Sequence, residues 1–251
     1  VNQPEIDIIE LSSLEHYERC VEIQLATWGY GGTDVVPMRL FRVAERIGGQ
    51  VLGGFDGDTM VSFTMAWPGI RDGVPYLHSH MLAVLPEYRN HGIGRRMKLA
   101  QRDAALERGI ERMEWTFDPL QIGNAQLNIA RLGAIARRYE ADFYGPSSSP
   151  LQGGLPTDRL VAEWWLRSPH VEWVLRGSPP QGKIVERVEV PATVYEWKKN
   201  PELRSYATDL QTRNREVLQS AFARGLAIAG YELDDQRNGT FLLRPANEIS
   251  L

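Results

Sequence analysis

Leu82-Ala83-Val84-Leu85-Pro86-Glu87-Tyr88-Arg89-Asn90-His91-Gly92-Ile93-Gly94-Arg95 reads as an apolar strand that runs through a short polar turn into a helix. Gly92 and Gly94 remove side chains where the turn opens the helix. Successive N–H groups can therefore close on a phosphate while the helix dipole favours its charge. Two other glycine-rich phosphate motifs do not fit. The lysine and hydroxyl of a P-loop are missing, and a dinucleotide fingerprint needs a third glycine where Met97 stands. A two-glycine turn ahead of a helix also serves purely structural ends, so its surroundings decide.

Upstream, Ile6–Glu10 predicts a strand, and Ser12 with Glu15 forms a capping-box pattern ahead of Leu14, Tyr17, Val21 and Leu25 at helical spacing. Pro37 predicts the start of a second helix ending near Ile47. Val51–Phe55 and Thr59–Ala66 flank Asp56-Gly57 and read as a hairpin, and Tyr76–Val84 is the next strand. Downstream, Ile93, Met97, Ala100 and Ala104 mark a helix that stops at Gly109, and Met113, Trp115 and Phe117 alternate as a strand. Asn124 suits the cap of a shorter helix carrying Ala125, Ile129 and Leu132, with Gly133 as its stop. Strands follow at Ile135–Tyr144 and Asp158–Leu166, separated by a Gly-, Pro- and Ser-rich loop at 145–156; Trp164 and Trp165 read as core. From Val171 the pattern starts afresh: a strand at Val185–Val190, a long helix from Asn200-Pro201 with Leu203, Leu210, Val217 and Ala221 on one face, and a hairpin at Asn238-Gly239.

Composition narrows the classes. The 251 residues hold 43% hydrophobic and 24% charged side chains, the balance of an ordinary globular protein. Lys and Arg number 28 against 32 Asp and Glu, with no long block of either sign, which argues against nucleic acid as a partner. Cys20 is the single cysteine, so neither an intrachain disulfide nor a cysteine-rich metal cluster forms, and a reducing cytoplasm fits. No apolar run has membrane-spanning length, and Val1–Asp7 lacks the basic-then-apolar order of a signal peptide. The expectation is a cytoplasmic protein with no membrane partner and no metal.

Arg89-Asn90-His91-Gly92-Ile93-Gly94 resembles the Q/R-x-x-G-x-G/A motif of the GNAT acyltransferases, preceded by the apolar Leu82-Ala83-Val84. In that superfamily the chain runs strand, two helices, a three-strand meander, helix, strand, helix and two strands. Ile6 to about Arg167, roughly two-thirds of the chain, reads in that order. The resemblance implies an α/β (α+β) GNAT fold, a mixed central sheet flanked by helices, over residues 1–167. Residues 168–251 form an α/β C-terminal extension of strand, long helix and hairpin. It also implies acetyl-CoA or another acyl-CoA as co-substrate. Leu82, Ala83 and Val84 would lie along its pantetheine arm, and Arg89, Asn90, His91, Gly92, Ile93, Gly94 and Arg95 around its pyrophosphate. Asn124, or alternatively Asn128, matches an asparagine that touches pantetheine in relatives, although Asn124 reads equally as an N-cap.

The acceptor side, by the same resemblance, lies where the strands ending at Val84 and Phe117 splay apart. Tyr76-Leu77-His78-Ser79-His80-Met81-Leu82-Ala83-Val84 is similar to the arylalkylamine N-acetyltransferase branch, in which paired histidines precede the corresponding valine by the same intervals. Strand alternation puts His78, His80 and Leu82 on one face, so both imidazoles can reach one centre and draw a proton, directly or through water, from an ammonium acceptor. Trp28, Tyr30, Trp67 and Arg71 fall in loops that the family uses around the acceptor, where aromatic lining with an arginine suits a small carboxylated amine such as an amino acid. Asp118 beside Pro119 can hold an ammonium or start a turn. The tyrosine that often protonates the departing thiolate is missing: Ile129 or a neighbour stands there, Tyr139 and Tyr144 are substitutes, and solvent is the remaining proton source.

The sequence thus points to an N-acyltransferase acting on a primary amine of a small molecule. A non-catalytic acyl-CoA-binding or sensing module and a protein-lysine acyltransferase are the alternatives. Residues 168–251 either cover the acceptor cleft or form a homodimer contact, and nothing in them chooses.

Overall fold

In a computed structural model, which describes residues 5–29, 31–32, 34–178 and 182–251, the chain is a mixed, mostly antiparallel sheet flanked by helices. This is the expected α/β (α+β) class. The backbone gathers into two units: Val1–Glu114 with Ser148–Pro150, and Trp115–Ser147 with Leu151–Leu251. That division falls inside a strand. The 167/168 boundary of the sequence reading rests on family resemblance instead, and the two follow different criteria.

The first unit runs β1 (Asp7–Glu10), α1 (Leu14–Trp28), α2 (Met38–Arg46), β2 (Gln50–Asp56), β3 (Thr59–Arg71), β4 (Val74–Val84), α3 (Ile93–Glu107) and the start of β5 (Arg112–Phe117). Its strands lie in the order β1-β2-β3-β4-β5, antiparallel except for the parallel pair β4 and β5. Ser13, rather than Ser12, caps α1 by accepting the His16 N–H at 3.1 Å. The buried face is consequently Tyr17, Cys20, Ile23 and Gln24, while Leu14 and Leu25 are exposed. Gln24 can be buried because its amide takes both the N–H and the carbonyl of Val36, at 2.9 and 3.0 Å. Burial pushes the Cys20 thiol up, which keeps it protonated. The β2–β3 turn is Gly57-Asp58, one residue later than expected, with Gly57 at φ 58°. Phe63, fully buried, meets Phe41 edge-on at 5.5 Å in the core; truncating such a ring to alanine costs about 3–5 kcal/mol.

The second unit takes the rest of β5, then α4 (Ile122–Ala125), a π-helical turn (Gln126–Arg131), β6 (Ile135–Glu140), β7 (Arg159–Trp165) and α5 (Pro169–Leu175). It continues with β8 (Glu186–Val190), α6 (Val194–Lys199), α7 (Arg204–Ala223), β9 (Leu226–Leu233) and β10 (Gly239–Pro245). The strand order is β7-β6-β9-β10-β8, antiparallel throughout. β6 stops at Glu140, short of the expected Tyr144, because Asp142 turns the chain at φ 46°. α7 begins later than Asn200-Pro201, since Asn200 first closes a turn by accepting the Glu202 N–H at 3.0 Å. Its Arg215 holds the fully buried Asp158 through two bonds of 2.8 and 3.0 Å, so α7 shares an interior with the residues just ahead of β7. Among the described residues no helix is long and apolar enough to cross a membrane.

At the last hairpin, a Cβ on Gly239 would stand 1.8 Å from the Tyr231 hydroxyl oxygen, a buried atom without a hydrogen-bond partner among the described residues. Gly239→Ala is therefore expected to lower stability by about 1–3 kcal/mol in urea unfolding, the cost of overpacking. Tyr231→Phe, which removes an unsatisfied oxygen, should be neutral or stabilising, and it should recover part of the Gly239→Ala loss in the double variant.

Candidate functional site

β4 alternates along its length: Leu77, Ser79, Met81 and Ala83 are buried, while Tyr76, His78, His80, Leu82 and Val84 are half-buried on the other face. The expected common face of His78, His80 and Leu82 is thus present. The strand carries a bulge that sequence reading missed. Met65 of β3 pairs with Met81 and Ala66 with Ser79, so His80 is the extra residue. The Thr64 hydroxyl donates to the Met81 carbonyl at 2.7 Å beside it. The two imidazole centroids are 6.1 Å apart. Trp67 stacks on His80 at 4.5 Å and 21°, and pairs with His78 across the ladder. Trp67 and Arg71 are therefore residues of β3 itself, a correction to their expected loop positions: β3 runs on to Arg71.

Burial lowers both imidazoles. His78 lies below its ordinary value of 6.5, chiefly from desolvation, with Glu114 opposing and Lys98 and Arg71 adding to the fall. His80 falls to about 4, from desolvation and then the charge of His78. Both rings are neutral at pH 7 and can accept a proton.

Two further groups of this face, and a third beneath the strand, carried no expectation. Glu114 is 1% exposed, stands opposite His78 in the parallel β4–β5 register, and accepts from Arg71 at 3.1 Å and from Arg112. Tyr76 lies under the Arg71 guanidinium, 5.5 Å from centroid to carbon, in space kept open by Gly69, whose Cβ would come within 2.7 Å of the ring. Beneath the strand, on the buried face, Lys98 of α3 donates to the Ser79 hydroxyl at 2.7 Å and to Gln101 Oε1 at 3.3 Å; desolvation holds its amine well below the usual lysine range. A lone carboxylate between Met113 and Trp115 was the available signal, because a charge inside an apolar strand must have a partner.

The turn after β4 is the stretch for which the sequence suggests an anion cradle. Asn90 and Gly92 both have left-handed φ, 66° and 74°. Gly92 is the N-cap of the fifteen-residue α3 and, among the described residues, receives no side-chain cap and has nothing within 4 Å of where its Cβ would be. Arg89 is exposed and ties the turn down through the Val84 and Thr27 carbonyls, at 3.4 and 3.1 Å. His91, Gly94 and Arg95 are half-buried around it, and Ile93 anchors the helix in the core. Uncapped N–H groups, an open glycine and nearby arginines together fit a pyrophosphate.

In the second unit, Asn124 is exposed and sits within α4, not at its cap. The helix starts earlier than expected because Asp118 opens the preceding turn, its Oδ1 accepting the Leu120 N–H at 2.8 Å. Its Oδ2 accepts from the buried Lys198 at 2.8 Å, so both oxygens are engaged. Asn128 is buried in the π-helical turn. Tyr139 donates to Asp158 at 2.6 Å, and burial with that carboxylate raises its phenol, which makes it a poor acid. Tyr144 is exposed with its hydroxyl 3.0 Å from that of Thr116. Trp28 ends α1 with its ring edge-on to Phe63 at 6.4 Å, and Tyr30 lies outside the described residues.

Residues 17–127 match the acetyltransferase (GNAT) family. No curated protein matches the sequence. Among solved structures, the chain is similar to the ribosomal-protein-S18-alanine N-acetyltransferase of Escherichia coli at 13% identity and a TM-score of 0.52, over 72% of this chain and 100% of that one. It is similar at 13% identity and 0.52 to a chain of the NatC complex bound to Gag peptide and CoA, over 64% and 98%. A structure of the Salmonella typhimurium protein yncA with its cofactor acetyl-CoA aligns at 15% identity and 0.51, over 64% and 94%. Residues 17–127 are thus a match to the acetyltransferase (GNAT) family, and the fold that carries them is the GNAT fold.

Proposed function

We propose that the chain is an acyl-CoA-dependent N-acyltransferase that transfers an acyl group, in the first instance acetyl, to a primary amine of a small molecule. One observation carries this reading: two imidazoles share a face of the same strand that leads into the open, uncapped turn at Gly92.

The amides opening α3 would bind the pyrophosphate, with Arg89 and Arg95 adding charge and Leu82 to Val84 along the pantetheine arm. Bound there, acyl-CoA supplies a thioester carbonyl open to attack by an amine. His78 and His80 would take the proton of the acceptor ammonium and, being weak bases, pass it on to solvent. With Tyr139 committed to Asp158, solvent is also the proton source for the departing thiolate. Trp67 and Arg71, on the same face as the histidines, favour an acceptor that joins a carboxylate to its amine, such as an amino acid.

The test is thiol release from several acyl-CoAs against amino acids, their decarboxylated amines, arylalkylamines and peptides, beside thermal melts with coenzyme A. Amino acids are expected to be turned over faster than their decarboxylated counterparts. Cofactor binding without thiol release would make the chain a sensing module, and release on peptides alone a protein acyltransferase. No cofactor-dependent melting shift would sink the whole reading.

A further inference from the structure

Three charged side chains meet on the histidine face. Arg71 belongs to β3 and Glu114 to β5, with β4 between them, so the arginine reaches across two inter-strand spacings, about 10 Å. It passes over the Tyr76 ring and ends 3.1 Å from Glu114 Oε2, while Arg112, two residues away on the same strand, takes Oε1. This strap crosses β4 next to His78, whose Cα partner in the parallel register is Glu114 itself. Paired residues of neighbouring strands point to the same face, so carboxylate and imidazole leave the sheet on the same side.

Stability alone gives little reason for such a cluster. Replacing a buried ion pair by apolar residues is often neutral or stabilising, and here the carboxylate sits between Met113 and Trp115, both buried. A carboxylate beside an imidazole, however, orients the ring and favours the protonated form that exists while a proton is in transit.

We infer that Glu114, held in place by Arg71 and Arg112, is a positioning residue for His78, keeping that imidazole basic enough to take the acceptor's proton. This rests on the reading of His78 as a proton acceptor. The charged groups acting on His78 are Glu114 from β5, Arg71 from β3 and Lys98 from α3, and the titratable neighbours on its own strand are Tyr76 and His80. Glu114 favours the protonated ring, whereas Arg71 and Lys98 oppose it.

The experiment is a side-chain NMR titration of His78 in the full chain with labelled histidine, the signal assigned from H78Q, run beside the pH dependence of kcat/KM with acetyl-CoA and an amino-acid acceptor. In Glu114→Gln the negative charge goes while Arg71, Arg112 and Lys98 stay. The His78 midpoint should fall by about one pH unit, and the limb of the rate profile should move down with it. Glu114→Asp should restore part of the shift. Arg71→Gln, which leaves the Glu114–Arg112 pair in place, should move the midpoint up and provides a second reading if Glu114→Gln does not fold. A His78 midpoint that stays put in these variants overturns the inference. A shifted titration with an unshifted rate profile upholds the hold of Glu114 on His78 and sinks instead the reading of His78 as the base.

Discussion

The double variant H78Q/H80Q is expected to turn over about a hundred- to ten-thousandfold more slowly than the wild type, the usual contribution of a positioned general base. It should still gain thermal stability from coenzyme A, because the cradle at Arg89 to Arg95 uses neither ring. The double replacement is decisive because the rings are neighbours, 6.1 Å apart, and one can stand in for the other. In the wild type a base must be unprotonated to act, so the rate should rise with pH and then level off. Burial places that limb below the ordinary imidazole value of 6.5, with His80 contributing only near 4. In H78Q the remaining limb should move up, since the charge of His78 is one of the two effects that lower His80. Full turnover in H78Q/H80Q would make both histidines structural and leave bound water as the base.

How far the fold was legible follows from the kind of signal each element gives. The order of strands and helices through β7 was readable because hydrophobic alternation, paired turn residues and glycine stops repeat at short range. The first helix was found, but its buried face was turned by about one residue, since Ser12 and Ser13 are equally good caps and only packing chooses between them. α5 was missed although Ser168-Pro169 with Glu172 is a start signal, and the Ser168 hydroxyl does accept the Val171 N–H at 3.2 Å. α6 is too short for its periodicity to stand out.

The candidate site divides the same way. The glycine turn and the common face of the histidines are local features, visible in consecutive residues. The bulge at His80, the strap from Arg71 to Glu114 and the lysine beneath Ser79 join residues between 13 and 43 positions apart. No periodicity announces such contacts. Asp118 shows the converse: its turn-forming role was legible, while the engagement of its second oxygen by Lys198, 80 residues on, was not.

Gly92→Glu is expected to abolish coenzyme A binding while leaving the protein folded, and the geometry at that residue says why both should hold. The position has φ 74°, so any side chain costs about 1–2 kcal/mol of backbone strain. No atom of the described residues lies within 4 Å of the new Cβ, so the Cβ itself adds no clash. A carboxylate at the start of α3 is also favourable to the helix dipole, which returns part of that cost. The same carboxylate occupies the anion's place and repels the pyrophosphate. At a hundredfold excess over its dissociation constant, coenzyme A should stabilise the wild type by about 2.7 kcal/mol; a hundredfold loss of affinity at that concentration leaves only about 0.4 kcal/mol. Gly92→Ala separates the two effects, since it adds the strain without the charge and should lose less of the melting shift. If Gly92→Glu melts with an unchanged response to coenzyme A, the pyrophosphate is bound elsewhere, because a negative charge cannot share the opening of α3 with a phosphate and leave its affinity untouched.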